Sequence, residues 1–336
     1  MKTGVLIVNL GTPDSPSTSD VRKYLSEFLN DPRVIDIHPV ARMLLVNLII
    51  VPFRSSKSAK LYKEIWREDG KSPLLYYSEA QLKMLRNELG ENYDVQLAMR
   101  YQSPSIDQAL THYQKKFYKK IIVLPLFPQY ASASTGSVQE KIMKIVSKWE
   151  IVPEIEFISG FCDNTDFIKA WQTIGEKHDH KKYDHVLMSF HGLPERQIKK
   201  GDSFDYCLKD GCCDTLTDKN AFCYKAQCYQ TARKLAEALQ IPEDKYTICF
   251  QSRLGKDPWI KPYSDAIIKE RAKKGDKNIL AFAPAFVSDC LETVYEISVE
   301  YNELFKEHGG EKIQLVESLN DSPEWIKAMK SILHLS

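Results

Sequence analysis

One side chain suited to acid–base chemistry is a histidine that directly follows an apolar run. The run Val186–Phe190 has the composition of a buried strand, and Gly192 and Pro194 stop it. His191 is therefore predicted to lie where a parallel strand ends, at the sheet edge that collects ligands. A neutral imidazole there can accept a proton near pH 7. The alternative is a histidine that only hydrogen-bonds a neighbouring loop.

A row of carboxylates follows a second predicted strand end. Pro284 breaks that strand, and Ser288 is suited to cap a helix that runs to about Lys306. Spacings of three, four, four and three place five acidic residues on one helical face, in a row about 21 Å long. These residues are Asp289, Glu292, Glu296, Glu300 and Glu303. Such carboxylates suit divalent cations or departing protons, and the alternative is a solvated charged face.

Further strand ends carry aromatic, hydroxyl and cationic side chains. Together they would form a pocket for a flat ligand with acidic substituents. They are Arg100 and Tyr101 after one strand, Tyr130 and Ser132 after the next, and the loop 251–262 after a third.

Five of the eight cysteines fall within 22 residues, which indicates a metal or redox site in a cytoplasmic protein. They are Cys207, Cys212, Cys213, Cys223 and Cys228. Four thiolates of the five, with one of the adjacent pair, could bind a [2Fe–2S] cluster or Zn²⁺ tetrahedrally. The alternative is a set of free thiols in a loop.

Short apolar runs alternate with helical patterns along almost all of the 336 residues. This pattern predicts an α/β fold of right-handed βαβ units and parallel sheets. We predict two doubly wound lobes, residues 1–150 and 151–336, with a cleft between them. No G-x-G-x-x-G motif follows the first strand, so the sequence does not support a dinucleotide site.

Composition narrows the class of protein. An apolar content of 43% and a charged content of 27% are typical of a soluble globular chain. The net charge of +1 gives no indication of a nucleic-acid partner. The N-terminal sequence lacks the pattern of a signal peptide, so we expect a cytoplasmic protein.

One segment departs from the strand–helix alternation. Residues 40–53 are apolar nearly all round, and the basic residues Arg54, Lys57 and Lys60 follow. The apolar stretch is shorter than the about 20 residues that span a bilayer. It is either a buried core helix or an exposed hydrophobic lip, residues 40–55, suited to a hydrophobic ligand or a membrane surface.

Five motifs in order resemble those of ferrochelatases, over essentially the whole chain. His191–Pro194 after its apolar strand resembles the family's histidine motif, and Phe286–Ile297 resembles its acidic helix. The other matches are Val8–Pro13, Pro128–Tyr130, and Gln251–Ser252 with Pro258–Trp259.

This resemblance implies two Rossmann-like lobes and the insertion of Fe²⁺ into protoporphyrin IX, the last step of haem biosynthesis, with release of two protons. It implies that His191 accepts pyrrole N–H protons and that Glu292 is the carboxylate facing it. With Asp289 and Glu296, these residues would handle the Fe²⁺ substrate, and Glu300 matches the same acidic row. Cys290 stands where some members carry histidine, and we do not assign it to the metal path.

The resemblance also places Arg100 and Tyr101 near the porphyrin. We expect Tyr130 and Ser132 of the pocket described above to bind the porphyrin as well. The resemblance implies that the lip covers the macrocycle and faces a membrane surface. For the cysteine insert, residues 207–228, it leaves open whether the insert holds [2Fe–2S], as in some bacterial members, or no cluster, as in others with similar cysteines. Two alternatives stay open, a coproporphyrin III ferrochelatase and a non-catalytic carrier of haem or metal.

Overall fold

The chain folds into two compact units, each built on a four-stranded parallel sheet. The computed structural model describes residues 2–253, 255 and 257–335, so Leu254 and Lys256 of the loop 251–262 lie outside the described residues. One unit comprises Met1–Phe127, Ala131–Gly160 and Met329–Ser336, and the other comprises Pro128–Tyr130 and Phe161–Ala328. Residues 151–160 and 329–336 thus belong with the first unit rather than with the second predicted lobe.

The sheet of the first unit has the strand order β2-β1-β3-β4. Its strands are β1 (Thr3–Gly11), β2 (Tyr93–Tyr101), β3 (Lys120–Pro125) and β4 (Glu154–Phe157). The apolar run of β1 is fully buried between two neighbouring strands, as expected for the centre of a parallel sheet. Leu6 and Val8 on β1 share one core with Leu110 and Ile142 on flanking helices.

The second unit has the equivalent strand order, β6-β5-β7-β8. Its strands are β5 (His185–His191), β6 (Tyr246–Gln251), β7 (Asn278–Phe282) and β8 (Lys312–Leu315). Leu187 and Ala281 on two of these strands pack in one core with Ile268 and Phe305. The expected α/β class with two parallel sheets is therefore confirmed.

Helices connect successive strands in both units. The α-helices are α1 (Thr18–Leu29), α2 (Pro39–Leu44), α3 (Val51–Ile65), α4 (Pro73–Leu89), α5 (Ile106–Lys116), α6 (Ser137–Val146), α7 (Thr165–Gly175), α8 (Glu195–Lys200), α9 (Tyr224–Ala238), α10 (Ser264–Lys273), α11 (Asn302–Glu307) and α12 (Pro323–Ile332). Three π-helical segments, Leu45–Ile50, Ser132–Gly136 and Leu291–Tyr301, precede α3, α6 and α11.

The apolar segment after residue 39 is exposed rather than buried. It forms a continuous helical run, Pro39–Ile65, which by length and composition alone could cross a membrane. Most of its apolar side chains are open to solvent, with exposed fractions of 65% for Leu48 and 79% for Phe53, whereas Val46 and Val51 are buried. On α3 the opposite side packs against α1, where the rings of Tyr62 and Tyr24 lie 6.3 Å apart. The structure therefore corresponds to the exposed lip and not to a core helix.

The acidic helix begins later than the sequence predicts. Cys290, not Ser288, is the N-cap residue, and the helix starts at Leu291. Its first 11 residues form a π-helix, whose i→i+5 hydrogen bonds make a wider turn than an α-helix. The prediction of an α-helix capped by Ser288 is therefore wrong, and the carboxylate spacing no longer defines a single α-helical face.

Candidate active site

His191 is the last residue of the central strand β5, as the sequence predicts. It is half-buried, and its Nδ1 lies 2.6 Å from the carbonyl oxygen of Gly192. A carbonyl oxygen only accepts hydrogen bonds, so Nδ1 must carry the proton and donate. In the neutral imidazole this leaves Nε2 as the proton acceptor. The local backbone therefore sets the tautomer that a general base requires.

Hydrogen bonds to the end of β6 and to the loop after it hold the chain after His191. The amide of Gly192 donates to the carbonyl of Gln251 at 2.8 Å, and the amide of Ile260 donates to the carbonyl of Leu193 at 3.0 Å. A Cβ atom on residue 192 would lie 2.8 Å from the Gln251 oxygen and 3.1 Å from the Trp259 ring. Glycine is required at position 192 because no side chain fits in this space.

Gln251 connects the histidine strand to the acidic helix. It lies on strand β6, where it pairs in register with His191 of the neighbouring strand β5, and its side chain is buried. Its side-chain amide donates to the Glu292 carbonyl and to Glu296 Oε2, both at 2.9 Å. Its own side-chain oxygen accepts from the Ser189 hydroxyl at 2.7 Å. From the sequence, Gln251 had no predicted role beyond its motif, although a polar residue at a strand end was a usable signal.

The carboxylate of Glu296 is held by four hydrogen bonds. Oε1 accepts from the Ser252 amide at 2.9 Å and from the Tyr301 hydroxyl at 3.0 Å. Oε2 accepts from Gln251 and from the Ser252 hydroxyl, the latter at 2.6 Å. Burial and the adjacent Glu296 charge hold the pKa of Tyr301 well above its ordinary value. Glu296 is thus a fixed carboxylate whose orientation three elements determine.

The carboxylate of Glu292 has a different environment. It is half-buried, and its side chain contacts the thiol of Cys290. Burial and the neighbouring Glu292 charge raise the pKa of Cys290 well above its ordinary value, so this thiol stays protonated. A protonated thiol is a poor metal ligand, which agrees with leaving Cys290 out of the metal path.

Asp289 is the most enclosed member of the acidic row. Its Oδ1 accepts from the Thr293 hydroxyl at 3.1 Å and from the Ser318 amide at 3.2 Å. Its Oδ2 accepts from the Asn320 side-chain amide at 2.8 Å. These contacts tie the segment before the acidic helix to the chain after β8. The role of Asp289 as an Fe²⁺ ligand stays a prediction.

Burial decreases along the acidic row. Asp289 is buried, Glu292 and Glu296 are half-buried, and Glu300 and Glu303 are exposed. The row therefore starts inside the second unit and ends in solvent.

The first unit holds Arg100 and Tyr101 in a buried network. Arg100 donates to Asp31 and to the Ser137 hydroxyl, both at 2.6 Å. The Tyr101 hydroxyl donates to the same Asp31 carboxylate at 2.9 Å, and the Tyr101 ring is fully buried. Burial, with the nearby Asp31 charge, raises the pKa of Tyr101. These contacts orient Arg100, while direct contact of Tyr101 with a porphyrin stays a prediction.

Two other predicted porphyrin-binding residues are held by side chains that the sequence did not single out. The Ser132 hydroxyl accepts from Arg33 at 2.8 Å, and Arg33 also pairs with Glu140. The backbone amide of Tyr130 donates to Gln227 at 2.6 Å. Ser132 lies in the first unit and Tyr130 in the second.

The cysteine insert brings four of its thiols into contact. All five cysteines are buried and free. The sulfurs of Cys212 and Cys213 lie 3.7 Å apart, and the Cys223 thiol contacts both Cys213 and Cys207. Cys228 instead contacts the Tyr224 hydroxyl. The sequence does not indicate which of Cys212 and Cys213 is the candidate ligand. In the structure the thiols of both contact another cysteine of the insert.

Electrostatics separate Cys223 from its neighbours. A hydrogen bond from Cys213 lowers the pKa of Cys223 to about 6, and the same contact raises the pKa of Cys213. Burial raises the pKa of Cys207. Within the part of the chain that the structure describes, no group of three or more His, Cys, Asp or Glu side chains has an arrangement that could hold a metal ion. The donor chemistry thus suits a soft metal, but the present arrangement is not a metal site.

Known proteins match the chain over its full length. The ferrochelatase family model matches residues 2–335. A ferrochelatase of Legionella pneumophila strain Lens is 46% identical over 334 residues, covering 99% of each chain. A ferrochelatase of Coxiella burnetii strain CbuK_Q154 is 42% identical over 330 residues, covering 98% of this chain and 92% of its own.

Solved structures show the same fold at low identity. The sirohydrochlorin chelatase SirB from Bacillus subtilis subspecies spizizenii, in complex with cobalt, has a TM-score of 0.56 and 13% identity, covering 99% of this chain and 94% of its own. This likeness agrees with two Rossmann-like lobes. The identity, coverage and family match together favour an enzyme over a non-catalytic carrier. The chain belongs to the ferrochelatase family, the lyases that insert iron into a porphyrin in haem biosynthesis.

Proposed function

We propose that this chain inserts Fe²⁺ into protoporphyrin IX to give protohaem, with His191 as the base for the pyrrole N–H protons. The observation that carries the proposal is the hydrogen bond from His191 Nδ1 to the Gly192 carbonyl. It directs the basic nitrogen, Nε2, away from the backbone at the carboxyl edge of the sheet. A base held in one orientation removes a proton without first having to be ordered.

Two protons leave the porphyrin for each Fe²⁺ that enters. His191 takes a pyrrole proton at Nε2, and Glu292, the half-buried carboxylate of the row, takes part in removing the other. Glu296 and then Glu300 and Glu303 lie at increasing exposure and would lead protons to solvent. Carboxylates also bind Fe²⁺, so Asp289, Glu292 and Glu296 are the candidates for its delivery.

The shape of the porphyrin determines the barrier. A planar macrocycle hides its nitrogen lone pairs, so a site that binds a distorted macrocycle approaches the transition state. We assign the porphyrin contacts to Arg100, Tyr101, Tyr130 and Ser132. The Asp31 network fixes the Arg100 guanidinium, which suits it to an acidic substituent of the macrocycle.

A parallel assay of two porphyrins tests the substrate. Purified protein is given Fe²⁺ without air and either protoporphyrin IX or coproporphyrin III, and kcat/KM is measured for both. We expect the larger value for protoporphyrin IX, and a larger value for coproporphyrin III would overturn this assignment. Glu292→Gln tests the carboxylate. It should reduce kcat by about 100-fold while the porphyrin Kd, from fluorescence quenching, stays within about twofold.

We further propose that the cysteine insert holds a [2Fe–2S] cluster, with Zn²⁺ as the alternative. Support comes from four buried thiols that are linked by successive contacts, from Cys212 to Cys213, from Cys213 to Cys223 and from Cys223 to Cys207. Cys228 is the remaining candidate ligand. A bound cluster would cross-link the insert.

The visible spectrum of protein purified without air tests the cluster. Sulfide-to-iron charge-transfer bands that disappear in Cys223→Ser would support it. A colourless protein that contains Zn²⁺ would favour the alternative, and a colourless, metal-free protein would overturn both.

We propose that the lip rests on a membrane surface, on the cytoplasmic side. Exposed Leu48, Ile49 and Phe53 are followed by exposed Arg54 and Lys57, a pairing of apolar and basic side chains that suits anionic lipid. Flotation with anionic vesicles tests this. Parent protein should float, and Leu48→Asp with Phe53→Asp should not. An equal distribution of both proteins would contradict the proposal.

A further inference from the structure

One face of helix α9 carries polar side chains that are all buried. Tyr224, Gln227 and Thr231 are separated by three and four residues, which places them on one side of the helix. The helix begins directly after Cys223, at the end of the cysteine insert. Neither the sequence motifs nor the proposed chemistry gives these side chains a role.

Each of the three side chains holds a segment of the candidate site. The Tyr224 hydroxyl donates to the carbonyl of His191 at 2.8 Å. Gln227 Oε1 accepts from the Tyr130 amide at 2.6 Å, and the Thr231 hydroxyl accepts from the Gln129 side chain at 2.9 Å. One helix thus contacts both the proposed base and a proposed porphyrin-binding segment, and all of these residues lie in the second unit.

These contacts matter because of where they fall. His191 is the last residue of β5, so the regular strand that fixes its backbone ends there. The Tyr224 hydroxyl binds this terminal residue from another element. Tyr130 lies outside any helix or strand, and the Gln227 contact fixes its backbone.

We propose that Tyr224 and Gln227 are positioning residues for metallation. Tyr224 holds the backbone of His191, and Gln227 holds that of Tyr130. Neither touches the reacting atoms. The inference rests on the proposed function, because it takes His191 as the base and Tyr130 as a porphyrin contact. The two residues therefore act on different kinetic constants although they share a helix face.

Three single substitutions on α9 test this. Tyr224→Phe removes only the hydroxyl and should lower kcat about tenfold, with KM for protoporphyrin IX within about twofold. Gln227→Met should raise KM about tenfold and change kcat by less than about twofold. Tyr229→Phe is the matched control, since Tyr229 lies on α9 with its ring packed against Phe250, and both constants should stay at the parent values.

Two further measurements separate positioning from general loss of structure. The porphyrin Kd from fluorescence should be unchanged in Tyr224→Phe and weaker in Gln227→Met. Gln227→Glu keeps an acceptor for the Tyr130 amide and should restore KM toward the parent value. Parent constants in both Tyr224→Phe and Gln227→Met, or one shared loss of kcat and KM in step with the folded fraction, would overturn the inference.

The same experiment includes His191→Ala as a reference. Full activity in His191→Ala would remove the proposed base itself. A parent-like Tyr224→Phe beside an inactive His191→Ala would remove only the positioning role.

Discussion

Strand β5 begins and ends with a histidine, and the two ends differ in environment. His185 is buried at the first residue, where its Nε2 shares a hydrogen bond with the Thr247 hydroxyl at 2.8 Å. His191 is half-buried at the last residue, where Nδ1 donates to the Gly192 carbonyl. Burial, together with the positive charge of Arg271, lowers the pKa of His185 to about 4. His185 is therefore neutral and enclosed, and it belongs to the core.

The difference follows from the direction of the strand. In a parallel sheet the carboxyl edge carries the loops that bind ligands, and the amino edge is closed by the incoming connections. At the carboxyl edge His191 lies beside Gln251, Trp259 and Tyr224. At the amino edge His185 is surrounded by Thr247 and by charged surface residues. The same residue type is thus placed for the proposed proton transfer at one end and for packing at the other.

Among substitutions of residues other than the proposed base and carboxylates, the largest effect on the metallation rate is expected at Gly192. In Gly192→Ala the new Cβ would lie 2.8 Å from the Gln251 oxygen, so the end of β5 must move and carry His191 with it. We expect kcat to fall about 100-fold, the loss that a displacement of about 1 Å can cause. Steady-state metallation and a thermal unfolding midpoint, measured on one preparation, check this. Parent kcat in the folded variant would show that the end of β5 need not be held.

A smaller effect on kcat is expected at Gln251, which lies beside His191 on strand β6 and donates a hydrogen bond to Glu296. Gln251→Leu removes the donor to Glu296 and leaves buried polar partners unpaired, so we expect kcat to fall about tenfold. Thr247→Val is the control on the same strand, since it removes the hydroxyl that contacts His185 at the other end. Its kcat should match that of the parent. Equal losses in the two variants would contradict the difference between the two edges.

The smallest effect on metallation is expected at His185. His185→Gln should leave kcat within about twofold of the parent, because its side chain lies at the amino edge. Its effect is on stability instead. The folded-state pKa of about 4 lies below the ordinary 6.5, so the unfolded chain binds a proton first as pH falls.

The sign of the stability change follows from this order of protonation. The contribution of His185 is fully present above pH 6.5 and is lost as pH falls toward 4, by about 3 kcal/mol in total. Urea unfolding of parent and His185→Gln at pH 7.5 and pH 5 measures it. The parent should lose more stability than the variant, and identical losses would show that His185 does not titrate in this window.

Much of the fold was predictable because parallel strands leave a strong local signal. The apolar run Val186–Phe190 was predicted as a buried strand, and it forms the interior of β5. Helix α4 was not predicted, although its sequence contains three helix boundary signals. These are Ser72 as the N-cap residue, Pro73 in the first turn and Gly90 at the end. The π-helix Leu291–Tyr301 was not predictable. Its i→i+5 hydrogen bonds give no recognisable signal when the spacing of apolar residues is compared with that of an α-helix.

The site was predictable where it depends on strand ends and not where it depends on distant partners. His191 and the acidic row each follow a predicted strand end, which a local sequence pattern indicates. Asp31 holds Arg100 and Tyr101 across a separation of 69 and 70 residues, and Tyr224 reaches His191 across 33. Such contacts are set by how elements pack, so no local spacing indicated them.

Metallation by His191→Ala, with porphyrin binding measured on the same sample, tests most directly whether His191 is the base. We expect the variant to fold, to bind protoporphyrin IX with a Kd within about twofold of the parent, and to insert Fe²⁺ at least about 100-fold more slowly. A rate equal to that of the parent would contradict this assignment, because the base would then lie elsewhere than at the carboxyl end of β5.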